Sequence, residues 1–215
     1  MKSGIIIFDL GGVLINLNVE RCVAQFRELM GETNMQAVLG IGGDGEGVVA
    51  VSAASKQLMV DFERGNISSE QFVTEVLRFC KPGTTKQQVI DAWWSMVADL
   101  PQERLDFVRQ MKEQGHKVYL LSNGNDLHFG RINEMYHLDA YFDRLFLSQE
   151  MHLAKPEKAI FEQVEQAINP LHEPVIFIDD LAKNRLAAEQ TVGWETYESI
   201  SQFLAPHNLC SATGT

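Results

Sequence analysis

Cysteine is scarce in this chain. Cys22, Cys80 and Cys210 are its three, widely spaced and without a C-x-x-C pair. An odd, scattered set suits neither a disulfide framework nor a thiolate metal site, so the three are read as buried or idle thiols of a reducing cytosol. Positive charge is also short. The formal net charge of -11 argues against nucleic acid or an anionic membrane surface as the main partner. An anionic small molecule stays open, because a metal, a lysine or helix N-termini can make a site locally positive. No uninterrupted apolar run is long enough for a signal peptide or a membrane span, and residues 1–4 lead straight into a strand pattern, so the expected location is cytoplasmic. A Walker motif is missing. GIGGDG at 40–45 does spell G-x-G-x-x-G, with Asp61 about twenty residues on, as in a dinucleotide fingerprint. However, MQAVL before it makes a poor strand, and Asp44 and Glu46 would repel phosphate. The stretch is read as a surface loop.

What the chain does have is a series of short apolar runs. GIIIFD (4–9), KVYLLS (117–122), RLFLS (144–148) and PVIFID (174–179) lack alternation and are followed by helical patterns, which marks buried parallel strands. WETYE (194–198) is a weaker fifth. PQERLDFVRQMKEQG has proline at its start and Gly115 at its end, as helices do, and EKAIFEQVEQAI and AKNRLAAEQTVG repeat apolar residues at helical spacing. Strand and helix alternating this way imply an α/β fold, a doubly wound parallel sheet. Between the first two strands only helical signals occur, including Ser68–Gln71 and Thr85–Gln88 capping boxes. That stretch is far longer than an ordinary crossover. The expected organisation is therefore a core of 1–16 and 101–215 with residues 17–100 inserted as a helical cap. Trp93–Trp94 within it are read as packing residues.

In doubly wound sheets ligands bind beyond the carboxyl ends of the strands. Those ends carry Asp9, then Ser122–Asn123, then Lys155, then Asp179–Asp180. One acid at a strand end is only a cap. Three acids with a lysine and a hydroxyl are harder to dismiss, because clustered carboxylates repel unless a cation sits among them. A hard divalent ion such as magnesium answers that repulsion, and Lys155 with the Ser122 hydroxyl would face a group rich in negative oxygens. Phosphate fits best.

FDLGGVL, LLSN, the Lys155–Pro156 pair and FIDD, in this order, resemble the haloacid dehalogenase-like (HAD) hydrolase superfamily. The inserted segment resembles that family's helical cap, and FERGNIS (62–68) is similar to cap segments of its sugar-phosphate phosphatase branch, which includes bacterial glucose-1-phosphate phosphatases. The resemblance implies a magnesium-dependent phosphatase acting on a small phosphorylated metabolite, such as a sugar phosphate. Asp9 would be the nucleophile that forms an aspartyl-phosphate, with Ser122 and the Asn123 backbone on the phosphoryl oxygens. Lys155 would neutralise Asp9 and the charge developing in the transition state. Asp9, the Gly11 carbonyl and Asp179 would hold Mg²⁺ directly, with Asp180 beside it or reaching through water.

Gly11 departs from the pattern. The family's hydrolases usually carry there a second aspartate as general acid and base, a role worth about 10²–10⁴-fold. Glycine keeps the carbonyl and loses the side chain, which points to a slower enzyme or to a substrate with a good leaving group. His128 and His152 are read as surface-loop histidines. Glu63 and Arg64 are left between a substrate contact and a solvated helix end. Two rivals share parts of the pattern. A metal-free 2-haloacid dehalogenase would leave Asp179 and Asp180 repelling each other. A weakened phospho-ligand binder, or a receiver-like phosphorylation switch, would suit Gly11, but receivers carry their acidic pair after the first strand rather than the fourth.

Overall fold

Ile5–Phe8 form strand β1, four residues with no exposed side chain, and they sit at the middle of a sheet. The computed structural model describes residues 4–39 and 53–205 of the chain, so GIGGDG and Cys210 lie outside the described residues. The other strands are β2 (Lys117–Ser122), β3 (Arg144–Leu147), β4 (Val175–Ile178) and β5 (Glu195–Tyr197). All pair in parallel, in the order β3-β2-β1-β4-β5. Alternate residues feed two cores. Ile6, Phe8, Val118, Leu120 and Ile178 enter one, and Ile5, Ile7, Tyr119, Leu121 and Phe177 the other. Burial on both faces is why these strands read as continuous apolar runs.

The helices of the core are α6 (Gln102–Glu113), α7 (Asp126–Tyr136), α8 (Ser148–Met151), α9 (Lys158–Ile168), α10 (Ala182–Val192) and α11 (Ile200–Leu204). Pro101 caps α6 from just outside the helix, and Gly193 takes the left-handed conformation at the end of α10.

Between β1 and α6 lie α1 (Val19–Met30), α2 (Glu32–Leu39), α3 (Ala53–Glu63), α4 (Ser69–Leu77) and α5 (Lys86–Trp94). Both capping boxes form: Ser68 with Gln71 starts α4, and Thr85 with Gln88 starts α5. These helices bury a third apolar cluster of their own, centred on Phe26, Phe62, Phe72 and Trp93. The chain enters and leaves this group through two paired segments, with Asn16 and Asn18 hydrogen-bonded to Asp99, Ala98 and Met96 at 2.7–3.0 Å. Arg21 ties the exit down, donating to the Ser95 and Val97 carbonyls at 2.7 and 2.8 Å. Trp94 packs on the sheet cluster instead, beneath the Arg131 guanidinium.

Candidate active site

The strand order changes direction on either side of β1, so β1 and β4 flank the switch point where open α/β sheets bind ligands. Asp9 and Asp179 are the residues that follow those two strands, and Lys155 reaches between them. Its ammonium donates to Asp179 Oδ2 at 2.6 Å, to Asp9 Oδ1 at 3.0 Å and to the Leu121 carbonyl at 2.9 Å. All three of its protons are used. Burial works to lower the Lys155 pKa, yet the two carboxylates outweigh it and hold the ammonium above its ordinary range. Burial pushes Asp9 up from 3.8 to about 6, against the pull of Lys155 and with the help of Asp179.

Asp9 Oδ1 also accepts from the Leu10 N–H at 2.7 Å. Its other oxygen, Oδ2, has no hydrogen bond among the described residues. The two acids of the fourth strand end differ sharply. Asp179 is fully buried and held on every side, by Lys155, by the Leu181 N–H at 2.9 Å and by the Asn184 amide at 3.0 and 3.1 Å. Asp180 is exposed, its carboxylate pairs with no other side chain among the described residues, and it lies against the backbone of Gly12, where a Cβ would overlap its carboxylate. Gly12 sits at φ 75°. The conformationally special glycine is therefore Gly12, while Gly11 has ordinary φ and only the flexible end of Leu17 near its missing Cβ, at 3.1 Å. One oxygen from each of Asp9, Asp179 and Asp180 lies within 4.8 Å of the others, the spread a single cation can bridge.

Ser122 ends β2 and is buried, its hydroxyl donating weakly to the Asn123 carbonyl at 3.3 Å. The Asn123 side chain faces away from that position. It exchanges two 2.8 Å hydrogen bonds with the Lys155 backbone, so it fixes the lysine rather than a ligand. Asn184, one turn into α10, holds Asp179 in the same way. It was not among the expected residues, and its only trace in the sequence is its spacing of five from Asp179.

A cavity of about 380 Å³ opens from these strand ends up to the inserted helices, between Gly11 and Ser122 below and Met59, Glu63, Trp93 and Met96 above. Two expectations change here. His128 is not a surface-loop residue: it lines the cavity from α7, stacks on Trp93 at 5.4 Å and binds the Trp93 carbonyl through Nε2 at 2.9 Å. Burial lowers its pKa, so the neutral ring is favoured. Trp93 serves both the helical cluster and the cavity wall. Glu63 also lines the cavity, and burial raises its carboxyl pKa against the pull of Lys183 and Arg64.

The loop after Glu63 is clamped to the core. Ser148, fully buried, accepts from the Gly124 N–H at 3.0 Å and donates to the Glu63 carbonyl at 2.6 Å. Arg64 pairs with Glu157 at 2.7 Å, and exposed His152 meets the Arg64 carbonyl at 2.8 Å through Nδ1. Both residues thus belong to the junction rather than to the site floor.

A family profile described as haloacid dehalogenase-like hydrolase matches residues 4–190. D-ribitol-5-phosphate phosphatase of Bacteroides thetaiotaomicron is 23% identical over 202 residues, covering 90% of each chain. Among solved structures, a HAD family enzyme of the same organism, crystallised with magnesium and inorganic phosphate, is 30% identical with a TM-score of 0.71, covering 91% of this chain and 93% of that one. A HAD-like family hydrolase from Porphyromonas gingivalis is 26% identical with a TM-score of 0.75 over 100% of both chains. Among the described residues, no helix is long and apolar enough to cross a membrane.

Proposed function

The chain belongs to the haloacid dehalogenase-like hydrolase family, and from that membership we propose that it is a magnesium-dependent phosphatase of small phosphorylated metabolites, working through an aspartyl-phosphate on Asp9. The observation that carries this reading is the pair of unlike oxygens on Asp9. Oδ1 is anchored by Leu10 and Lys155, which leaves Oδ2 open to attack phosphorus. The bond from phosphorus to the leaving oxygen breaks as the bond to Oδ2 forms, and water then cleaves the acyl phosphate. Ser122 and the backbone beyond it face the phosphoryl oxygens. Lys155 is already bonded to the nucleophile and stays charged throughout, as phosphoryl transfer requires of its electrostatic partners.

The carboxylate cluster fits a magnesium ion. Asp9, the Gly11 carbonyl and the acidic pair are the donors, and the open carboxylate is that of Asp180, since the oxygens of Asp179 are held by Lys155, Leu181 and Asn184. On this reading Asp180 would hold the ion directly and Asp179 would set Lys155, the opposite of the order that the resemblance implies. When bound, the ion supplies charge neutralisation between the nucleophile and the phosphoryl group. The same cluster disfavours a metal-free dehalogenase, which would keep three acids together with only Lys155 between two of them. A sugar-phosphate substrate draws support from the likeness to the ribitol-phosphate enzyme.

The test is phosphate release from 4-nitrophenyl phosphate with magnesium and with chelator, combined with acid quenching and mass spectrometry. We expect release only with the metal, and a phospho-adduct on Asp9 that Asp9→Asn lacks. Metal-independent release, halide release from a 2-haloacid, or turnover by Asp9→Asn overturns the reading.

A further inference from the structure

We propose that the cavity above Gly11 takes the alcohol half of a phosphomonoester whose carbon skeleton is largely apolar and carries a hydroxyl directed at Gln149. The proposal rests on the phosphatase reading of Asp9, and on substrate class it sets the cavity's lining against the sugar phosphate that the likeness to the ribitol-phosphate enzyme suggests. At about 380 Å³ the cavity is of small-molecule size, and Met59, Trp93, Met96 and Phe129 make much of its wall. A polyol placed there would exchange water for carbon at most of its hydroxyls, which is unfavourable without replacement hydrogen bonds.

The polar side chains around the cavity are mostly committed already. Asn123 is closed on Lys155. The Asn125 side-chain Oδ1 accepts from the His128 backbone N–H at 3.0 Å and from the Trp93 indole N–H at 3.4 Å. His128 uses Nε2 on the Trp93 carbonyl. Gln149 is the exception. It lines the cavity from α8, it is only 7% exposed, and its Oε1 is buried without a hydrogen-bond partner among the described residues. That oxygen stands 3.8 Å from the point where a Cβ on Gly124 would be, beside the loop that follows Ser122. Buried polar atoms are seldom left unpaired, and each one that is calls for a cause such as a bound water, an ion or a functional role. Glu63, also on the wall, is an acceptor when ionised and a donor when protonated. The Gln149 amide is therefore an unpartnered polar group in a largely apolar shell, which a hydroxyl on an apolar body would pair.

Three primary-alcohol esters of like leaving-group basicity separate pocket from chemistry: 2-(3-hydroxyphenyl)ethyl phosphate, 2-phenylethyl phosphate and a pentitol 5-phosphate. With magnesium, kcat/KM should be at least about tenfold higher for the hydroxyphenyl ester than for the pentitol ester. The hydroxyphenyl ester should also exceed its bare phenyl analogue, and Gln149→Met should collapse that second ratio toward one. The ratio is taken within each protein, so a partly folded variant still reports. Calorimetric binding of the same esters to Asp9→Asn protein gives a readout that needs no turnover. If no ester is hydrolysed but the hydroxyphenyl ester binds best, the phosphatase reading falls and the pocket assignment stands. If hydrolysis favours the pentitol ester, or Gln149→Met leaves the hydroxyl preference intact, the pocket assignment falls and the phosphatase reading stands. Failure of both hydrolysis and binding overturns both.

Discussion

At Asp9 and Gly11 the chain separates two tasks that a pair of aspartates usually shares in this family. Asp9, the proposed nucleophile, has one oxygen open and its other oxygen fixed by Leu10 and Lys155. Gly11 contributes no side chain at the place where a general acid would stand. The backbone there is not the obstacle, because Gly11 lies outside the left-handed region and only the movable Leu17 side chain crowds its missing Cβ. Gly11→Asp should therefore fold. It should raise turnover of alkyl phosphates relative to aryl phosphates by at least about tenfold, since protonation matters most for a basic leaving oxygen. Steady-state kinetics on a leaving-group series checks this. Equal gains across the series would mean that the proton already comes from another group, with Glu63 and His128 on the cavity wall as the candidates.

Among elements, the short helix α8 does more than its four residues suggest. Through Ser148 it links the backbone after β2 to the end of α3, and through Gln149 it reaches the cavity. The turn after α3 is fitted to it: Gly65, at φ 66°, lies so close to the Gln149 carbonyl that a Cβ would overlap it. Ser148→Ala leaves a buried N–H and a buried carbonyl unpaired at this junction. The expected cost is about 1–3 kcal/mol of stability, readable as a lower urea midpoint with unchanged slope. Because the clamp holds the cavity roof and not the nucleophile, KM should rise more than kcat falls. A fall in kcat alone would place Ser148 in the chemistry instead.

For the whole molecule, the site is a local charge problem that the fold solves incompletely without metal. Asp9 titrates near 6 instead of 3.8, because burial and Asp179 oppose its ionisation more than Lys155 assists it. A raised carboxyl pKa favours the protonated form in the folded state. Its contribution is fully present below the unfolded pKa and is lost as pH rises through the folded one. In chelator, thermal stability should therefore decline across roughly pH 4 to 6 on this account. Magnesium binds the ionised cluster and not the unfolded chain, so it should restore stability progressively above that window. Thermal melts across pH with and without magnesium check the sign. Metal stabilisation that is the same at acid and neutral pH would show binding elsewhere.

By itself the sequence determined the features that depend on neighbours along the chain. Apolar runs marked the strands because both sheet faces are buried, and β2 falls at the expected residues 117–122. The capping boxes at Ser68 and Thr85 were readable because each closes within three residues. The order of acids, hydroxyl and lysine at the strand ends was readable because a parallel sheet brings those ends to one edge. Tertiary structure alone decided which groups remain open. Whether Asp179 or Asp180 is free depends on Lys155, in the turn between α8 and α9, and on Asn184, on α10. Whether His128 is a surface or a wall residue depends on where Trp93, 35 positions away, comes to rest. Gln149 lost its partners, and Glu63 its water, only when the inserted helices settled on the sheet edge, since burial belongs to surfaces that meet and not to any stretch of chain.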